Sequence, residues 1–320
     1  MVSNLNVPPA TLTGGKQTMS SWAKVIKTFA AVPDAYKDSC NTILEDGLPF
    51  PYMVLAPAIS STRHKVSEKL LCVVKDVFYV WEFLDGQISL TAYPLKTISA
   101  AEVGGILLYS WLTVRGATND GEPSSTTIAF NTATTRHLLP FINKMRPAPV
   151  DTAETEWEAE LAGFDYLASV NFKFMNFARS SLVRGEKVIH FVWQPQIRRP
   201  MFTQFGRSFH RTKALAHLAI LTDKEVILIE DVESKAENRG VRYGGIFQYF
   251  PLQHIVAAGI TETANDLMTL SLSPAFGGQR LNKIFSASNK QALEEFQSRL
   301  DQVSGQTSPQ PHSARSARQA

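Results

Sequence analysis

The chain has 320 residues, 44% of them hydrophobic and 19% charged, with a net charge of +3 and a pI near 8.8. That is enough apolar material for two cores of roughly 100–130 residues each, and a charge too mild to imply nucleic-acid binding, so any electrostatic function has to come from local clustering. With only Cys40 and Cys72 present, a disulfide framework and a CxxC metal or redox site are both excluded, and two reduced thiols of an intracellular protein are expected.

Residues 1–18 read as a disordered tail rich in Pro, Thr and Gly, without the basic segment and apolar block of a secretory signal. From 19 to 46, Trp22, Ile26, Phe29, Tyr36, Cys40 and Ile43 recur at helical spacing and predict a helical lead-in. The period then shortens to two. Strand-like runs fall at Phe50–Ala56, Lys69–Lys75, Val77–Phe83, Gln87–Thr91, Leu95–Ala101, Gly105–Arg115 and Ser124–Asn131. They are followed by a helix that Thr132 caps and that reaches Met145. The stretch Val103–Val114 is the longest apolar one and is too short to span a bilayer.

Residues 147–182 predict a connecting helix. Asp151 with Glu154 forms a capping box, Trp157, Leu161, Phe164, Ala168 and Met175 make the buried stripe, and the acidic start suits the positive end of the helix dipole. The two-residue period returns in runs at Glu186–Gln194, Leu215–Thr222, Glu225–Asp231, Gly244–Tyr249, Leu252–Thr261, Leu267–Ser273 and Gln279–Phe285. Ser288 and Gln291 then form a capping box for a helix reaching Leu300. Residues 303–320 read as a second disordered tail.

The two halves repeat one another. Lys75-Asp76 before the run Val77–Trp81 returns as Thr222-Asp223 before Val226–Ile229. Tyr93-Pro94-Leu95 with Ile98 returns as Phe250-Pro251-Leu252 with Ile255. Phe130-Asn131, leading into Leu138 and Phe141, returns as Phe285-Ser286, leading into Leu293 and Phe296. Pro94 and Pro251 are expected to open the strands that contain Leu95 and Leu252. This plan, a strand pair with a tight Asp-containing turn, then aromatic-Pro-Leu-x-x-Ile, then Phe-Ser-x-x-Asn into a closing helix, resembles the pleckstrin-homology-like (PH-like) superfamily, in particular its GRAM and bacterial PH-like branches. The resemblance implies an α+β, mostly β chain of two tandem PH-like bent seven-stranded antiparallel barrels, at 47–146 and 183–302, each preceded by a helix and closed by a C-terminal one.

No P-loop, HExxH, GxSxG or Gly-rich dinucleotide turn is present, and no enzyme activity, metal or cofactor is expected. Gly104-Gly105, Gly244-Gly245 and Gly277-Gly278 read as tight turns or bulges, because none opens a helix. His210, His217 and His254 read as surface or edge-strand residues. One segment differs. Between Pro195 and Lys213, Arg198, Arg199, Arg207, Arg211 and Lys213 stand without an acid among them, interleaved with Met201, Phe202, Phe205 and Phe209. A loop of that composition suits phosphate groups through its guanidinium forks and a membrane interface through its apolar side chains.

In PH-like domains the corresponding loop binds phosphoinositide headgroups, which implies anion-binding roles for Arg211 and Lys213 together with Lys187 or Arg198. The same loop also reads as packed on its own domain, phenylalanines buried and arginines solvated. The expected protein is therefore a cytoplasmic adaptor or peripheral membrane-binding module with an anionic membrane surface as partner. The alternative is a protein–protein or self-assembly scaffold, in which a sheet edge or the groove beside the closing helix takes a partner peptide or a second copy.

Overall fold

The computed structural model describes residues 22–44, 49–60, 65–204, 207–232, 244–263, 266–276 and 280–307. It is an α+β chain, mostly β, in which each of the fourteen predicted runs overlaps a strand and every strand pairing among the described residues is antiparallel. A short strand β1 (Lys24–Ile26) and helix α1 (Asp34–Asn41) come first. The first repeat then has strands β2 (Met53–Ala56), β3 (Ile59–Ser60), β4 (Lys65–Val66), β5 (Glu68–Val74), β6 (Val77–Leu84), β7 (Gln87–Pro94), β8 (Ile98–Ile106), β9 (Tyr109–Ala117) and β10 (Pro123–Asn131), and helix α2 (Leu139–Met145). Helices α3 (Glu154–Ala162) and α4 (Leu167–Ser181) connect it to the second. There follow β11 (Val188–Gln194), β12 (Ile197–Gln204), β13 (Arg207–Ala214), β14 (His217–Thr222), β15 (Glu225–Glu230), β16 (Gly245–Pro251), β17 (Ile255–Thr263), β18 (Leu267–Pro274), β19 (Leu281–Ser286) and α5 (Lys290–Thr307).

Both repeats run through four strands, then three, then a helix. The first four are β2-β5-β6-β7, flanked by β1, and their counterparts are β11-β14-β15-β16; the threes are β8-β9-β10 and β17-β18-β19. The seven strands of a repeat do not join into one closed barrel. Instead β8 of the first repeat pairs with β16 of the second, which merges three strands of one with four of the other into a seven-stranded sheet, β10-β9-β8-β16-β15-β14-β11. Glycines begin the seam, where Gly245 pairs with Gly105 and Ile246 with Gly104, and it runs on to Tyr249 opposite Ala101. A Cβ on Gly104 would lie 2.0 Å from the Trp111 ring, and one on Gly244, whose φ is +114°, 2.0 Å from the Gly105 carbonyl oxygen. Rather than making turns, Gly244 thus permits close approach of the Gly105 backbone, while Gly104 and Gly245 leave room for the Trp111 and Phe177 rings. Gly277 and Gly278 lie outside the described residues.

The sheet placement explains the unbroken apolar runs Leu218–Leu221 and Val226–Ile229. Leu218, Ile220, Ile227 and Ile229 face a core shared with the first repeat and α4, and Ala219, Leu221, Val226 and Leu228 face the second repeat's own core with Leu293, Phe296 and Leu300 of α5. Strands covered on both faces lose the polar alternation that a half-exposed strand keeps. On the outer face of the first sheet, α1 buries Tyr36 and Cys40 against Met53, Leu70, Cys72 and Trp81.

Several local expectations are corrected. Lys24–Ile26 is a strand, paired with Met53–Leu55, because the exposed edge of β2 offers hydrogen bonds that an isolated turn of helix with Val25 and Ile26 cannot match. Pro94 and Pro251 end strands β7 and β16 instead of opening the next, each leading into one 3-10 turn, Leu95–Thr97 or Leu252–His254. The connecting helix is two helices, with Ala153 at the N-cap in place of an Asp151 capping box, and Ala168 is exposed. Caps of the closing segments are Asn131, whose side chain accepts from Ala133 N–H, and Ser286, which accepts from Ser288 N–H. His217 and His254 are buried, unlike the exposed His210.

Candidate functional site

Each repeat makes an excursion between its first two strands. In the first it is the pair β3–β4, two residues a side; in the second it is β12–β13, eight residues a side. The segment expected as a loop from Gln196 to Lys213 is therefore mostly a β-hairpin, and within the described residues its strands pair only with one another. Ile197, Phe202, Thr203 and Phe209 supply strand propensity, and Pro200 is tolerated because a two-stranded ribbon leaves one side of each strand without a ladder.

The register sets Arg199 opposite Arg211, Arg198 opposite Thr212 and Phe202 opposite Phe209, with a shift between Pro200 and Phe202 that leaves Met201 as the extra residue. Two guanidinium groups at directly opposed positions repel, and a ribbon so arranged attracts anions. Arg198, Arg211 and Lys213 are exposed, as is Met201 at 61%. Gln204 pairs with Arg207 near the tip, and Phe205 lies outside the described residues. Lys187 is exposed but sits before β11, at the opposite end of a seven-residue strand from the hairpin, about 23 Å away. The fold thus brings together the arginines and lysine of the hairpin and leaves Lys187 apart.

At the hairpin's base lies a cleft of about 650 Å³ between β11, β12, the β17–β18 turn and the start of the closing segment, lined by Arg198, Arg199, Ser288, Asn289 and Val170. Val170 comes from α4, which breaks at Asn171 (φ −160°, ψ 95°); the Asn171 side chain accepts the Phe174 N–H and starts the helix anew. Phe174 is buried against Trp193 of β11 at 4.4 Å, which fixes α4 beside the hairpin. Val170 and Phe172, on either side of the break, are 56% and 63% exposed. Sequence periodicity had no means of singling them out, since apolar residues in an amphipathic helix are assigned to the buried stripe.

A second cluster joins the repeats and is inaccessible. Arg146, at the end of α2, donates from Nε to Glu225 Oε1 at 3.0 Å and from Nη2 to the Ser181 carbonyl at 2.6 Å, and its guanidinium lies 3.8 Å from the Tyr249 ring centre. Glu186 stands 3.8 Å from the same guanidinium and accepts the Val183 N–H. Both carboxyl groups are fully buried, and Glu186 Oε1 and Glu225 Oε2 have no hydrogen-bond partner among the described residues. Burial, then the neighbouring Glu225, push the Glu186 carboxyl up to a pKa of about 8.

Among the described residues no group of three or more His, Cys, Asp or Glu is placed to hold a metal ion, and no helix is long and apolar enough to cross a membrane. Comparison with protein-family models and with curated proteins finds no match for this chain.

Proposed function

We propose that the chain is a non-enzymatic, cytoplasmic module of two PH-like domains that binds anionic membrane surfaces through the β12–β13 hairpin. The succession of four strands, three strands and a helix in both halves supports the domain assignment. The observation that carries the binding role is a projecting ribbon with Arg198, Arg211 and Lys213 exposed and a bulged, exposed Met201 between them. Cations meet phosphate oxygens at the headgroup level, and the exposed Met201, Val170 and Phe172 supply apolar surface for the interface beneath.

Co-sedimentation with vesicles of phosphatidylcholine, with and without phosphatidylserine, at two salt concentrations tests this. Binding is expected only with the anionic lipid and falls as salt rises. Replacing Arg198, Arg199, Arg211 and Lys213 by Gln removes roughly 1 kcal/mol for each charge near the surface and flattens the salt dependence. A folded parent chain that shows no salt-sensitive binding overturns the proposal.

A further inference from the structure

The two repeats treat the outer edge of their first strand differently. In the first, β1 lies antiparallel on β2 and pairs Lys24 with Leu55 and Ile26 with Met53. In the second, the corresponding strand β11 is the last of the seven-stranded sheet. Two of its backbone groups are held by side chains: Val188 N–H donates to Glu160 Oε1 at 2.5 Å, and the Trp193 carbonyl accepts from Asn289 Nδ2 at 3.0 Å. Between them, from Ile189 to Val192, no strand among the described residues pairs with the outer side. An edge left in this way is a template for another chain.

Beside this edge runs a groove of about 950 Å³. Helix α3 walls it with Glu156, Trp157 and Glu160, and Phe164 and Phe191 line its apolar part, their rings 5.0 Å apart. Among the described residues lining it, Lys187 is the one with an ammonium group, while Glu156 and Glu160 contribute carboxylates. An edge strand, an apolar strip and an acidic wall together match an extended segment that carries apolar residues and lysines. The first repeat already accommodates such a segment at the equivalent place: β1 lies within Trp22-Ala23-Lys24-Val25-Ile26-Lys27.

We infer that β11 is a docking edge for a partner protein, which adds an extended, lysine-bearing apolar strand antiparallel to β11 with its lysines toward Glu156 and Glu160. Main-chain pairing supplies affinity and the groove selects the side chains. This inference does not rest on the membrane reading, and its test involves no lipid.

The probe is a synthetic peptide with the sequence of residues 22–27, titrated into the full-length, isotope-labelled chain while backbone amide resonances are followed. Saturable shifts are expected at Ile189–Trp193 and along α3. N-methylation of alternate peptide amides should abolish binding in one register and spare it in the other, because alternate residues point their amides toward the edge. Glu156→Lys, at an exposed position that leaves the fold intact, should weaken binding on the order of fivefold. The inference is overturned by the absence of saturable shifts, by shifts confined to Met53–Leu55, or by indifference to N-methylation in both registers.

Discussion

Arg146 has more negative charge around it than it can neutralise. One guanidinium faces two buried carboxyl groups, so the site is at its lowest energy when one carboxyl keeps a proton. Glu186 has a folded pKa near 8 against an ordinary value of 4.5. The stability this proton contributes is whole below about pH 4.5 and is lost as pH rises through 8, because above 4.5 the unfolded chain releases a proton that the folded chain retains. The thermal midpoint of the parent chain should therefore fall between pH 5 and pH 8, and in Glu186→Gln, which stays neutral and still accepts the Val183 N–H, that fall should be much reduced. An identical pH profile in the two proteins refutes this account of the cluster. His217 acts in the opposite direction: burial holds its pKa at about 4, below the ordinary 6.5, so its stabilising effect is present above 6.5 and lost as pH drops toward 4. Removing the cation is the severe change. Arg146→Met leaves the carboxyl groups uncompensated and should cost roughly 3–5 kcal/mol in urea unfolding.

At the scale of elements, α5 is fixed by the face it buries. Leu293, Phe296 and Leu300 are at most 1% exposed and belong to the second repeat's core, with α5 lying against β11 and β17, while Glu295 and Arg299 pair on the outer side at 2.7 Å. Phe296→Ala should lower stability by roughly 3–5 kcal/mol, and Arg299→Ala by less than about 1 kcal/mol. An unchanged urea midpoint for Phe296→Ala would mean that the helix does not seal this core. The role of these side chains was legible in the sequence, because i, i+3 and i, i+7 spacing after a strand leaves few other readings. The hairpin was not. Charges and Pro200 in β12 hide the two-residue period, and a ribbon that packs on little carries no apolar alternation to betray it. Val170 and Phe172 were equally invisible, since their exposure follows from a break at Asn171 whose cause is the docking of Phe174 on Trp193.

For the whole molecule, the shared seven-stranded sheet makes the repeats one folding unit. The seam β8–β16, the Arg146 cluster and the core that runs from the first repeat through α4 to β14 and β15 all cross the boundary between them. Calorimetry should show a single cooperative transition, and Gly104→Ala, whose Cβ would meet Trp111, should lower its midpoint rather than split it. Two separable transitions in the parent would refute the shared unit.

The sequence by itself determined the strands, the twofold repeat and the closing helices, because period, turn residues and caps act over a few residues and are written locally. Tertiary structure alone decided which strands pair between repeats, that Lys24–Ile26 becomes a strand on one sheet edge while β11 has no such strand beside it among the described residues, and that Glu186 and Glu225 meet around Arg146. Those outcomes depend on groups tens of positions to well over a hundred positions apart competing for hydrogen bonds and burial, and no local pattern records the result of that competition.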